Sequence, residues 1–155
     1  MTNSEREILY KMKLWCDRQE RCHSELRTKL YSESLYGSQV ERLISELISQ
    51  NYINETRFAQ AYVSGKFRIK RWGRVKIRQN LKLKQVSLYC IKEGLKEIDE
   101  QEYAKTIIRL IEKKKHDYRK EKNPYLLKNK IAKYVMSRGF EGDLVWNRVN
   151  ECLNT

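Results

Sequence analysis

Two sets of side chains in this sequence have chemistry beyond filling space. The first is sulfur and imidazole: Cys16, Cys22, Cys90 and Cys152, with His23 and His116. Cys16, Cys22 and His23 lie close together, an arrangement that suggests zinc. Yet no CxxC pair exists and a fourth ligand at a recognisable spacing is missing, so neither a metal nor any other cofactor is expected. His116 sits inside a lysine run, a poor setting for a general base. The sequence has no Walker-type phosphate loop, no GxSxG, no HExxH and no paired acids at metal spacing. An enzyme is not expected, and the thiols read as structural.

The second set is cationic. Residues 65–84 read GKFRIKRWGRVKIRQNLKLK, with nine Lys or Arg residues and no acid. Phe67, Ile69, Trp72, Val75, Ile77, Leu81 and Leu83 are spaced between them. The chemistry on offer is non-covalent: ion pairing with phosphates or with an acidic protein surface. The net charge of the chain is +13, and it is unevenly spread. Residues 56–92 carry eleven Lys or Arg and no acid, and residues 113–138 carry ten against two acids. Residues 1–55 are close to neutral, with eight cations and nine acids.

The candidate contacts are Arg57, Lys66, Arg68, Lys70, Arg71, Arg74, Lys76, Arg78, Lys82 and Lys84. Lys113, Lys114, Lys115, Arg119 and Lys120 form a secondary patch. Arg71 and Arg74 flank Gly73 near a helix start, where backbone N–H groups would add a field favourable to an anion. For any one of these cations a solvated face is the plainer reading. Tyr62, Phe67 and Trp72 suit base stacking, but aromatics at helical spacing more often fill a core, and Phe58, Tyr62, Trp15 and Trp146 are expected there.

These side chains need elements to hold them, and the composition favours helices: one Pro and six Gly in 155 residues, with 34% of residues charged. Much surface and little deep core suit an elongated or modular shape. Val40, Leu43, Ile44, Leu47 and Ile48 fit one helical face, as do Tyr103, Ile107, Leu110 and Ile111. Phe58, Tyr62, Gly65, Ile69 and Trp72 step by four, three, four and three, which predicts a helical seam. Ser24, Ser38, Asn54 and Asp99 are placed as N-caps, and Pro124 follows Asn123 as a first-turn proline. Gly37, Gly94 and Gly139 are expected in loops or at helix ends.

Residues 65–84 alone are ambiguous, because KFRIKRW and RVKI alternate as strands do. An internal repeat decides for helix. Leu26-Arg-Thr-Lys-Leu30, Ile77-Arg-Gln-Asn-Leu81 and Leu127-Lys-Asn-Lys-Ile131 share a pattern. Val40, Ile44 and Leu47 match Ile91, Leu95 and Ile98, and then Val145, Val149 and Cys152 after a small insertion. Each copy reads as three short helices in an array whose units bury apolar faces against their neighbours. Residues 65–84 become the end of one helix, a turn at Trp72-Gly73 and a second helix, with the apolar residues used in packing.

Asn54-Glu-Thr-Arg-Phe-Ala-Gln-Ala-Tyr-Val63, then Arg71-Trp-Gly73, then Ile77-Arg-Gln-x-Leu81, resembles the signature of the RecX family, bacterial regulators of the RecA recombinase. Ser24-Glu-Leu-Arg-x-Lys-Leu30 through Tyr52-Ile53 is similar to that family's first repeat. The resemblance covers residues 10–95 well and the third copy more loosely. Where the family usually carries Asp, this chain has Asn54, and either caps a helix. The extra basic run 113–122 makes the third repeat's contacts the least transferable.

The resemblance implies an all-α fold: tandem three-helix, helix-turn-helix-like repeats forming an elongated curved rod, here over 1–53, 54–98 and 99–155. It implies a non-catalytic regulator bound in the groove of the RecA–DNA filament, slowing filament growth, ATP hydrolysis and strand exchange. Such a protein acts in DNA repair, recombination and the SOS response. The partners expected are the RecA filament and single- and double-stranded DNA, bound non-specifically by a monomer. With a polar start and no long apolar run, a cytoplasmic location with reduced thiols and no membrane is expected. Two alternatives stand beside this reading: an autonomous helix-turn-helix DNA-binding protein of repressor type, and a scaffold for an acidic protein. The first is weakened by the lack of a helix arraying Asn, Gln and Arg for base edges.

Overall fold

The computed structural model describes residues 1–154, and the described residues form nine α-helices and no strand. They are α1 (Asn3–Arg18), α2 (His23–Ser32), α3 (Ser38–Ser49), α4 (Glu55–Arg68), α5 (Arg74–Leu83), α6 (Leu88–Leu95), α7 (Glu100–Asp117), α8 (Pro124–Ser137) and α9 (Gly142–Leu153). The alternation in 65–84 is thus carried on helix and turn. Most starts follow the expected chemistry. Asn54 accepts from the Arg57 amide at 2.9 Å, Asp99 from that of Glu102 at 2.9 Å, and Asn123 from those of Tyr125 and Leu126. Two starts differ. α2 is capped at Cys22, whose amide donates to Glu25, and α3 at Gly37 with φ +58°, so Ser24 and Ser38 already lie within helices.

The first compact unit comprises Met1–Tyr62 with Leu81–Leu95. Its core joins Met12 of α1, Leu26 and Leu30 of α2, and Val40, Leu43 and Leu47 of α3, with Trp15 and Tyr52 partly buried against it. Gly94 takes the helix-end place of the two expected: it is the penultimate residue of α6, it is buried, and a Cβ there would stand 2.9 Å from Ala59. Burial pushes the Cys16 thiol up to about 11, as suits a structural sulfur.

The second unit comprises Val63–Asn80 with the chain from Lys96 onward. Tyr103, Ile107 and Ile111 of α7, Ile131 and Val135 of α8, and Val145 and Val149 of α9 are among its buried residues, with Phe67, Ile77 and Phe140. Trp146 is only half-buried, as are Trp15 and Tyr62.

Burial gives the repeat a sharper register. Leu26, Leu30, Leu35, Val40 and Ile44 are buried at steps of four, five, five and four. Ile77, Leu81, Val86 and Ile91 repeat the first three steps, and Ile131, Val135, Phe140, Val145 and Val149 repeat all four. The third copy therefore aligns on Ile131 and Val135, one turn beyond the expected Leu127 and Ile131; Leu127 is half-buried. The reason is length: α8 has 14 residues where α5 has 10, and the additional turn is at its N-terminal end. The close of the repeated helix is also shared. Ser34 and Gln85 both adopt left-handed φ, and Leu35 and Val86 donate back to Leu30 and Leu81 at 3.2 and 3.1 Å. Gly139, with φ +97°, holds the same place after α8.

Two apolar residues of the 65–84 stretch leave the packing role expected of them. The helical seam stops at Arg68, so Ile69 lies beyond it and is 79% exposed, and Leu83 is 81% exposed.

Candidate polyanion-binding surface

The turn between α4 and α5 begins with the Arg71 and Trp72 amides donating back to the carbonyls of Phe67 and Lys66, with Arg71 at φ +56°. Trp72 comes out half-buried, with the Lys66 ammonium 4.9 Å and the Lys76 ammonium 4.5 Å from its ring centre. Arg68, Lys70 and Arg71 are exposed beside it in sequence.

The N-terminus of α5 is not the open anion site expected of it. The Gly73 amide donates to the Arg138 carbonyl at 2.8 Å, that of Arg74 to the Tyr103 hydroxyl at 3.0 Å, and that of Val75 to the Gly139 carbonyl at 2.9 Å. The protein itself takes the donors a phosphate would need. Glycine at 73 makes this approach possible, since a Cβ there would stand 2.3 Å from the Gly139 oxygen. Arg138 adds a guanidinium bond to the Lys70 carbonyl.

Arg74 belongs to this lock. Its guanidinium reaches Glu100 at 2.6 Å and Glu141 at 2.9 Å, and lies 3.9 Å from the centre of the Tyr103 ring. The Tyr103 hydroxyl donates to Glu141, and its ring packs on Phe67 and Phe140. Burial and the hydrogen bond to Glu141 raise the phenol pKa above its ordinary value. With a side chain 16% exposed and both acids satisfied, Arg74 has little left for an external anion.

Two candidates in the first unit are likewise engaged. Arg57 donates to Glu20 at 2.5 Å, to the Asn51 side chain and to the carbonyls of Asn51 and Tyr52, tying the α3–α4 turn to the end of α1. Lys84 pairs with Glu25 at 3.2 Å, and its carbonyl accepts from Ser24.

The remaining cations of the middle block behave differently. Arg68, Lys70, Arg71, Arg78 and Lys82 have no carboxylate partner among the described residues, and neither has Lys76, which rests on Trp72. Ile77 and Leu81 are fully buried, so α5 turns its apolar side inward, with Arg78 half-exposed and Lys82 exposed.

The secondary patch divides in the same way. Lys114 pairs with Asp117 at 3.5 Å and lies 4.0 Å from the Tyr134 ring centre; Lys115 donates to the Cys152 carbonyl and Arg119 to that of His116. Lys113 and Lys120 are exposed with no carboxylate partner among the described residues. Among the described residues no group of His, Cys, Asp and Glu has the arrangement to hold a metal ion. No helix among them is long and apolar enough to cross a membrane.

The family model described as "RecX, second three-helix domain" matches residues 54–95, and "RecX, third three-helix domain" matches 100–147. A "Regulatory protein RecX" from Haemophilus influenzae (strain PittEE) is 33% identical over 129 residues, covering 81% of this chain and 82% of that protein. A protein of the same name from Clostridium botulinum (strain Eklund 17B / Type B) is 27% identical over 139 residues; the chain spans 65% of its length. The crystal structure of RecX from Lactobacillus salivarius superposes with a TM-score of 0.86 at 20% identity, covering 99% of both chains.

Proposed function

The chain belongs to the RecX family, and from that premise we propose that it is a non-catalytic regulator of the RecA recombinase. Organised as repeats over 1–53, 54–98 and 99–155, it binds the RecA–DNA filament and restrains filament growth, ATP hydrolysis and strand exchange in the cytoplasm. Its relatives carry the name of regulatory proteins, which agrees with a binding role.

The observation that carries this reading is the charge of the middle block. A segment of 37 residues, 56–92, has eleven cations and no acid, and Arg68, Lys70, Arg71, Lys76, Arg78 and Lys82 among them meet no carboxylate anywhere among the described residues. Uncompensated cations repel one another and gain when a dense anion replaces their counterions. A nucleoprotein filament supplies such anions. Trp72, with cations near its ring, adds an aromatic surface of the kind that nucleic-acid-binding proteins use. Arg57, Arg74 and Lys84 are removed from the binding set, because internal acids hold them.

The test is RecA's ATPase on single-stranded DNA with substoichiometric protein. Slowing is expected from the wild-type chain and its loss from a variant with Arg68, Arg71 and Arg78 changed to Glu, at unchanged helicity. No slowing at any ratio would remove the reading. Selective protection of one duplex sequence would favour the repressor-type alternative instead.

A further inference from the structure

The first unit contains an open groove of about 740 Å³, a size typical of ligand sites. Trp15 of α1, α2 from Ser24 to Ser32, and Leu83–Gln85 at the end of α5 line it. The groove is a built feature: the bond from Ser24 Oγ to the Lys84 carbonyl, at 2.7 Å, and the Lys84–Glu25 pair fix α2 to that segment. Leu83 stands 81% exposed at one side, with no packing role. Arg21, 3.9 Å from the Trp15 ring centre, and Lys29, at 5.6 Å, have no carboxylate partner among the described residues.

We propose that this groove is a docking site for an acidic peptide segment of a partner protein, which lays an apolar side chain against Leu83 and Trp15 and a carboxylate against Lys29. Charge complementarity selects an acidic occupant, and the hydroxyls favour a peptide backbone over a phosphodiester one. Ser24, Thr28 and Ser32 each spend their proton on a backbone carbonyl, of Lys84, Ser24 and Lys29 respectively. Each oxygen keeps only acceptor capacity, which Ser24 shares with the Cys22 thiol 3.2 Å away. A peptide offers one N–H per residue to such acceptors, whereas a phosphodiester has only acceptors of its own. Trp15 is also a poor platform for a base, because Arg21 already covers a face of its ring. The inference stands apart from the polyanion surface: of the residues proposed there, Lys84 alone lines the groove, and its charge is spent on Glu25.

The probe is a short fluorescein-labelled peptide of Asp and Glu with a central Leu-Phe pair, titrated with the full chain by anisotropy. Binding is expected, with a loss of about tenfold in Lys29→Glu and in Leu83→Ser, both of which alter side chains outside the core. A peptide N-methylated along its backbone should lose affinity comparably, and one with Lys in place of its acids should not bind. Circular dichroism confirms that the variants fold. The proposal is overturned if either variant binds as the wild type does, or if N-methylation has no effect. It is equally overturned if labelled oligothymidylate depends on Lys29 and Leu83 in the same way, which would make the groove a nucleic-acid site.

Discussion

Arg27 and Arg78 stand at the same point of the repeat, one residue after Leu26 and Ile77, and the protein uses them in opposite ways. Arg27 meets Glu41 of α3 through two bonds of 2.9 and 3.2 Å. This hydrogen bonding raises the pKa of Arg27 and lowers that of Glu41. Arg78 has no carboxylate partner among the described residues, and in the register that places Ile77 on Leu26, the position of Glu41 is occupied by Lys92. One acid-to-base difference withholds a neutralising ion pair that the repeat uses elsewhere. The second unit shows the same division side by side: Arg74 closes on Glu100 and Glu141, while Arg68, Lys70 and Arg71 close on nothing acidic among the described residues. Cations of one sequence block thus serve two ends, and proximity in sequence does not tell them apart.

The largest effect should come from the engaged class. Arg74→Ala leaves Glu141 and the Tyr103 hydroxyl without their guanidinium neighbour and uncovers the Tyr103 ring. A loss of about 2–3 kcal/mol is expected in urea unfolding followed by circular dichroism, below the full value for a wholly buried pair because Glu100 is exposed. A cost no greater than that of Arg78→Ala would erase the distinction between the two classes.

The free class should show the opposite profile. Replacing Arg68, Lys70, Arg71 and Arg78 together by Ala is expected to move stability by no more than about 0.5 kcal/mol for each site. In single-stranded DNA binding measured against salt, the slope of log affinity should fall by roughly 0.7 for each phosphate the variant no longer neutralises. An unchanged slope would mean that these cations are merely a solvated face.

Exchange of the diagnostic pair sharpens the comparison further. Glu41→Lys breaks a solvent-exposed pair and should cost roughly 0.2–1 kcal/mol. Lys92→Glu should weaken DNA binding modestly while leaving the fold intact, since Lys92 is exposed. If Lys92→Glu binds DNA as tightly as the wild type, the acid missing from the second copy is not what leaves its surface open.

Helices, their order and the repeat were legible because apolar spacing records burial directly. Ile77, Leu81, Val40 and Leu47 are all buried at the positions their periodicity demands. The third copy's register was not legible, because Leu127 and Ile131 satisfy the same four-residue step as Ile131 and Val135. Only burial separates one turn of α8 from the next. Ile69 misled for a related reason: an apolar residue signals a core only while its helix continues, and α4 ends at Arg68. Leu83 is still within α5, but two residues beyond the buried Leu81 it lies on the other side of the helix and is exposed. The candidate surface was legible as composition but not as geometry. Glu100 and Glu141, which take Arg74, lie far along the chain, and nothing local predicts that Gly139 and Tyr103 will accept the first amides of α5. The groove at Trp15 left no pattern at all, since its walls come from three separate segments.

The smallest effect is also the most direct probe of the Arg27–Glu41 pair. The hydrogen bond from Arg27 holds the Glu41 carboxyl below its ordinary range. As the folded value lies below the unfolded one, the unfolded chain takes up the proton first as pH falls. The stabilisation is complete above the unfolded carboxylate value of about 4.3 and is lost as pH drops through the lower folded value. Glu41→Gln removes the titrating group. The melting temperatures of wild type and Glu41→Gln should therefore differ slightly near neutrality and converge in acid. The Glu41 side chain is 58% exposed and that of Arg27 34%, so the difference at neutrality is small and salt should shrink it. In the second copy, Lys92→Gln removes no carboxylate, and its difference from the wild type should stay flat over the same acid range. A flat difference for Glu41→Gln as well would mean that the first copy's ion pair contributes no stability. The contrast between Arg27 and Arg78 would then concern exposed charge alone.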